Sequence, residues 1–102
     1  IGGDIALGKE LLAEYRKQLT AFVCEIEKAI VRKDFETLGR IGHTIKGSSA
    51  AIGAYVLSNR GASIEKEAGK RGIENIEKDF AALKDEFVIF EFNANEWKRK
   101  WE

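Results

Sequence analysis

Residues 73–90 read Ile-Glu-Asn-Ile-Glu-Lys-Asp-Phe-Ala-Ala-Leu-Lys-Asp-Glu-Phe-Val-Ile-Phe, and the apolar positions Ile73, Ile76, Phe80, Leu83, Phe87 and Phe90 recur at steps of three and four. That period places all six on one stripe of an α-helix; a half-buried strand would alternate at every second residue. The same pattern recurs upstream. From about Leu7 to Arg32, Leu12, Tyr15, Leu19, Phe22, Val23, Ile26 and Ile30 mark a long first helix. Lys33-Asp34 interrupts it, and Asp34 is a plausible N-cap for a second helix carrying Phe35, Leu38, Ile41, Ile45 and Ile52. Gly53 is expected to close that helix, and a third follows from about Ala54 to Gly69 with a stripe of smaller residues, Leu57, Gly61, Ile64 and Ala68. Lys70-Arg71-Gly72 reads as a basic C-terminus with a glycine stop. Four amphipathic helices joined by turns this short must pack antiparallel, so the expected fold is all-α, an antiparallel up-and-down four-helix bundle.

Beyond Phe87 the pattern blurs, because Val88-Ile89-Phe90-Glu91-Phe92 is apolar on more than one face and Asn93-Ala94-Asn95 reads as a break. The bundle is therefore assigned to residues 1–92. Residues 93–102 are expected to form a tail or short C-terminal helix. Trp97 and Trp101, four apart, would lay it back on the bundle as a clasp, or else offer it to a partner or to the rest of a parent protein.

With 102 residues, 44% hydrophobic and 33% charged, the chain has material for one core and no second. Seventeen basic residues balance seventeen acidic ones, and neither half is strongly charged, which argues against nucleic acid or anionic lipid as a partner. No apolar run reaches the roughly 18 residues of a membrane span. Lone Cys24 and lone His43 form no disulfide framework and a poor zinc set, so a reducing, cytoplasmic setting is expected. Methionine is absent, as expected of a fragment of a longer polypeptide or of a processed product; so is proline, the strongest helix breaker.

One helical segment breaks its own rule. Gly39-Arg40-Ile41-Gly42-His43-Thr44-Ile45-Lys46-Gly47-Ser48-Ser49-Ala50 holds three interior glycines, each costing about 0.8–1 kcal/mol relative to alanine. Against the roughly 5–15 kcal/mol by which a domain is stable, that loss calls for a compensating requirement. With Leu38, Ile41, Ile45 and Ile52 turned inward, Gly39, His43, Lys46, Gly47 and Ala50 share the outward face. His43 then stands on a bare shelf that another protein can approach closely, with the Lys46 ammonium beside it. A free imidazole titrates near pH 6.5, at about neutrality, and its unprotonated form is a nucleophile. A neighbouring ammonium suits delivery of a phosphoryl group, whose charge spreads over its oxygens in a loose transition state. The plainer alternatives are a surface histidine with glycines that serve close helix packing, and serines at 48 and 49 that are packed or bonded back to their own helix. No Gly-x-Ser-x-Gly elbow or nucleotide-binding P-loop is present.

His43-Thr44-Ile45-Lys46-Gly47-Ser48-Ser49-Ala50-Ala51-Ile52-Gly53-Ala54, with Leu57 following, resembles the signature of histidine-containing phosphotransfer domains, and the likeness extends over about Gly8 to Phe87. The resemblance implies that His43 is the phosphoacceptor, Lys46 the cation that steadies the phosphoryl group and Gly47 the small residue that admits the partner, with Gly39 and Ala50 completing the docking shelf. Glu65 lies where the family often carries a Gln or Glu that holds the imidazole, and is expected to bind Nδ1–H and leave Nε2 free. Gly42 stands where alanine is commoner and is expected to loosen the helix beside the nucleophile.

The resemblance further implies a carrier in a multistep phosphorelay, taking a phosphoryl group from the aspartyl phosphate of one response-regulator receiver domain and passing it to the aspartate of another. The expected context is the terminal domain of a hybrid sensor kinase, with a histidine kinase transmitter in the same parent chain. No cofactor is expected on this chain; Mg²⁺ is expected in the receiver's acidic pocket. Two alternatives stay open: the phosphoacceptor domain of a chemotaxis-type histidine kinase, and a helical adaptor without phosphoryl chemistry.

Overall fold

A computed structural model of the chain describes residues 2–100, with side chains from Ile5 onward. Four helices account for nearly all of it: α1 (Gly2–Arg32), α2 (Phe35–Ala51), α3 (Tyr55–Gly69) and α4 (Ile73–Arg99). Each packs on its neighbours in sequence, and α4 closes on α1. Most of the stripes read from the sequence form the core: Leu19 and Ile26 of α1, Leu38, Ile41 and Ile45 of α2, Ile64 of α3, and Ile76 and Leu83 of α4 are all essentially solvent-free, whereas Ile52, expected to turn inward on the second helix, is the C-cap beyond its last residue and is exposed.

The helices are unequal, and the inequality shapes the molecule. At 31 and 27 residues, α1 and α4 outrun α2 and α3, at 17 and 15, giving a rod 46 Å long and 19 Å across. Past the α2–α3 turn the two long helices pair alone. Just inside that level, beside the last turn of α2, the Arg16 guanidinium grips the Glu91 carboxylate through two hydrogen bonds. The Tyr15 ring meets Phe90 edge-on at 5.3 Å between centroids.

The three turns share one geometry. In each, a residue with positive φ follows the helix, and the next amide donates to the carbonyl five residues back: Asp34 to Ala29, Ala54 to Ser49, and Gly72 to Glu67. The same residue then caps the following helix. Asp34 does so with its side chain, accepting the Thr37 amide at 3.1 Å and the Thr37 hydroxyl at 2.7 Å. Gly53, at φ +79°, closes α2 as the sequence suggests. After α3 the left-handed position falls instead on Arg71 (φ 58°), and Gly72 is the N-cap of α4 rather than the stop of α3. The Arg71 guanidinium lies 4.6 Å from the centre of the Phe35 ring, a cation–π contact that offsets part of the cost of the left-handed backbone.

Two further expectations are corrected. α1 begins at Gly2 rather than near Leu7. The break expected at Asn93-Ala94-Asn95 does not occur: α4 runs unbroken to Arg99, so the tail is its last two turns and not a separate helix. Asparagine is only a weak helix former, and the segment is held by packing, with Ala94 buried and the Trp97 ring against α1 at Gly8, where an added Cβ would lie 3.4 Å from Cη2. The expected clasp is thus made by Trp97; Trp101 lies outside the described residues.

Across the α1–α2 contact the hydroxyls of Tyr15 and Ser49 bond at 2.5 Å in the core, and burial pushes the Tyr15 phenol above its ordinary pKa. Tyr15→Phe should cost about 1–2 kcal/mol in urea unfolding, because it strands the Ser49 hydroxyl away from water, and Tyr15→Phe/Ser49→Ala should recover most of that loss. Simple addition of the two single-mutant costs would contradict this account of the pair.

Candidate functional site

The site grows out of the contact between α2 and α3, the most extensive helix pair in the bundle. Ile41 and Ile45, fully buried, anchor α2 on either side of His43, and Ile64 and Ala68 anchor α3 around Glu65. Between them the backbones come unusually close. A Cβ added to Gly42 would lie 2.7 Å from the Gly61 carbonyl oxygen, and one added to Gly61 would lie 2.7 Å from the Lys46 amide nitrogen. Ser58, one turn before Gly61, donates its hydroxyl to the Lys46 carbonyl at 2.8 Å. Gly42 therefore tightens this seam, contrary to the loosening expected of it, because a glycine matched by a glycine on the facing helix removes both Cβ atoms from the crossing. The plain packing explanation of the interior glycines is correct for this one.

The outward face of α2 is otherwise as its spacing predicts. The His43 side chain is 68% exposed. Gly47 has open space where a Cβ would stand, and Ala50 is exposed. Gly39 leans toward α3, where a Cβ would make ordinary contact with the Ala68 methyl at 3.6 Å, so it forms the inner margin of the shelf.

Glu65 reaches across from α3 and divides its carboxylate between two residues of α2. Oε2 lies 2.8 Å from His43 Nδ1, and Oε1 accepts from Lys46 Nζ at 3.1 Å. An ionised carboxylate only accepts, so Nδ1 carries the proton, and in the neutral ring Nε2 holds the free lone pair; among the described residues nothing bonds Nε2. The hydrogen bond from Lys46 is the main reason that the Glu65 carboxyl sits below its ordinary pKa; desolvation opposes it, and the His43 bond adds a smaller lowering. A depressed carboxyl pKa means that the bridge is fully formed above the ordinary carboxylate value and opens as pH falls through the lowered one. Lys46 spends one of its three N–H donors on Glu65, keeping two for another anion.

The residues singled out in the sequence thus meet at one place: His43, Lys46 and Glu65 in direct contact, with Gly39, Gly47 and Ala50 around them. Ser58 and Gly61 were not singled out as site-building residues. Their signal was the 58, 61, 65 spacing, which puts them on the same stripe of α3 as Glu65. Among the described residues no cluster of three metal-ligating side chains occurs, and no helix is long and apolar enough to cross a membrane.

Comparison with known proteins supplies the family. The phosphorelay intermediate protein YPD1 of Candida albicans is 28% identical over 81 residues, covering 79% of this chain but 44% of that protein, so the chain spans less than half of its relative's length. No solved structure gives a significant match. Residues 10–88 match the Hpt domain family, and over that span, most of the bundle, the chain belongs to the Hpt domain family.

Proposed function

We propose that this domain is a phosphoryl carrier of a multistep phosphorelay and that His43 Nε2 is the acceptor atom. The observation that carries the reading is the Glu65 bridge: an exposed imidazole held by Nδ1, its other nitrogen open to solvent and an ammonium one carboxylate away. In the forward step the Nε2 lone pair attacks the phosphorus of a receiver's aspartyl phosphate. The P–N bond forms as the P–O bond to the aspartate breaks, and the aspartate leaves as a carboxylate. The ring becomes cationic with its proton still on Nδ1, and the negative Glu65 stabilises that cation. Lys46 turns its spare N–H donors to the phosphoryl oxygens. In the return step a second receiver's aspartate attacks phosphorus, the P–N bond breaks, and neutral imidazole is restored. No proton or electron is gained or lost in the cycle.

The carboxylate at this site is already committed to His43 and Lys46, so the Mg²⁺ that neutralises the transferring group belongs to the receiver's acidic pocket. Gly47 and Ala50 leave room for that pocket to close over His43. The context we favour is the terminal domain of a hybrid sensor kinase.

Three experiments test the reading. A receiver charged by a small-molecule phosphodonor, with no kinase and no ATP, should load the wild-type domain with one acid-labile phosphate and His43→Gln with none. Loading only from an ATP-bound kinase domain would favour the chemotaxis-type assignment, and no loading from any donor the adaptor. Lys46→Ala should unfold near the wild-type urea midpoint, as an exposed lysine contributes little to the core, yet lower the maximal transfer rate about tenfold or more, with Lys46→Arg recovering part. An unchanged maximal rate would remove Lys46 from the chemistry. Gly47→Gln should hold or raise the unfolding midpoint, since glycine is the poorer helix former, while raising the receiver concentration needed for half-saturation. Wild-type transfer by that variant would show that the open space serves no partner.

A further inference from the structure

The two glycines at the α2–α3 crossing differ from every other glycine of those helices. Gly47 and Gly69 have open space where a Cβ would stand, and Gly39 would make an ordinary contact. A Cβ on Gly42, by contrast, would lie 2.7 Å from the amide nitrogen of Glu65 and 3.2 Å from its Cα. A Cβ on Gly61 would lie 2.7 Å from the amide nitrogen of Lys46 and 2.8 Å from the carbonyl oxygen of Gly42, the residue before His43. The obstructing atoms are mostly backbone, which cannot rotate aside, and they belong to the residues that carry the site. A methyl group at either glycine has to push α3 bodily away from α2.

That displacement bears on chemistry because the Glu65 bridge has little slack. Its two contacts measure 2.8 and 3.1 Å, and hydrogen bonds of this kind are lost beyond about 3.5 Å. Both ends of the bridge hang from the same crossing, His43 and Lys46 on α2 and Glu65 one turn beyond Gly61 on α3.

We propose that Gly42 and Gly61 are positioning residues for the phosphoryl site: their contact sets α3 at the depth from which one Glu65 carboxylate reaches both His43 Nδ1 and Lys46 Nζ, and so fixes the imidazole tautomer that leaves Nε2 unprotonated. This rests on the reading of His43 as the acceptor, and it adds what makes that acceptor ready before any partner arrives. An imidazole without such a partner favours the proton on Nε2, where it would block attack.

The tautomer can be read directly, because His43 is the only histidine in the chain. In the ¹⁵N-labelled full chain, above the imidazole titration, long-range ¹H–¹⁵N spectra should show a predominantly Nδ1–H ring. Gly42→Ala and Gly61→Ala should each shift it to predominantly Nε2–H, and Gly69→Ala should leave it unchanged. Glu65→Asp tests the same spacing from the other side, retracting the carboxylate by one methylene while the glycines keep the helices in place, and should produce the same shift. In a Glu65→Ala background, Gly42→Ala should cause no further change in tautomer. A folded Gly42→Ala that keeps the Nδ1–H form would overturn the proposal. So would an unchanged tautomer in Glu65→Asp, which decides the matter if the alanine variants fail to fold. Because these spectra need no phosphoryl donor, a correctly poised ring that never accepts phosphate would count against the carrier reading and leave this inference standing.

Discussion

The backbone contact between Gly42 and Gly61 is the constraint on which the site depends. Helices usually pack with axes about 8–10 Å apart, at a distance set by the side chains between them. Here the side chains are missing from both facing positions, and backbone meets backbone. Three consequences follow along one stripe of α3: Ser58 reaches the Lys46 carbonyl, Gly61 fills the crossing, and Glu65 spans the gap to His43 and Lys46. The long helices α1 and α4 supply the remainder of the core and leave the outer face of α2 uncovered.

A division of labour results. Stability comes from aliphatic stripes that never touch the reacting group, and from caps and turns at the helix ends. The site itself contains one imidazole, one ammonium and one carboxylate, partly exposed on a surface kept bare by glycine and alanine. Such a site has no means of enclosing a substrate or expelling water by itself. On the proposed function it is completed by the receiver that docks on it, as a carrier between two receivers requires.

Much of this was legible in the sequence, and the rest was hidden for identifiable reasons. Helical periodicity exposed all four helices, because buried aliphatic residues at steps of three and four have no other economical use. His43, Lys46 and Gly47 stood out through their spacing on one helix face, whereas Glu65 was legible only through the family resemblance. Gly42 was misread, since a glycine beside a nucleophile looks like a local weakness until the glycine across from it is seen. Arg71 was hidden because a left-handed arginine is supported by Phe35, distant in sequence. The continuity of α4 through Asn93-Ala94-Asn95 depends on α1 lying beneath Trp97, a tertiary fact that outweighs local propensity.

The account's central claim is that Glu65 presents His43 to its partner through Nε2. It is tested most directly by ³¹P and ¹H–¹⁵N NMR of the domain phosphorylated by a receiver, in which coupling to phosphorus identifies the bonded ring nitrogen. The account predicts a single phosphohistidine with phosphorus on Nε2 and the proton retained on Nδ1 beside Glu65. Phosphorus on Nδ1, the nitrogen that faces the carboxylate, would contradict it.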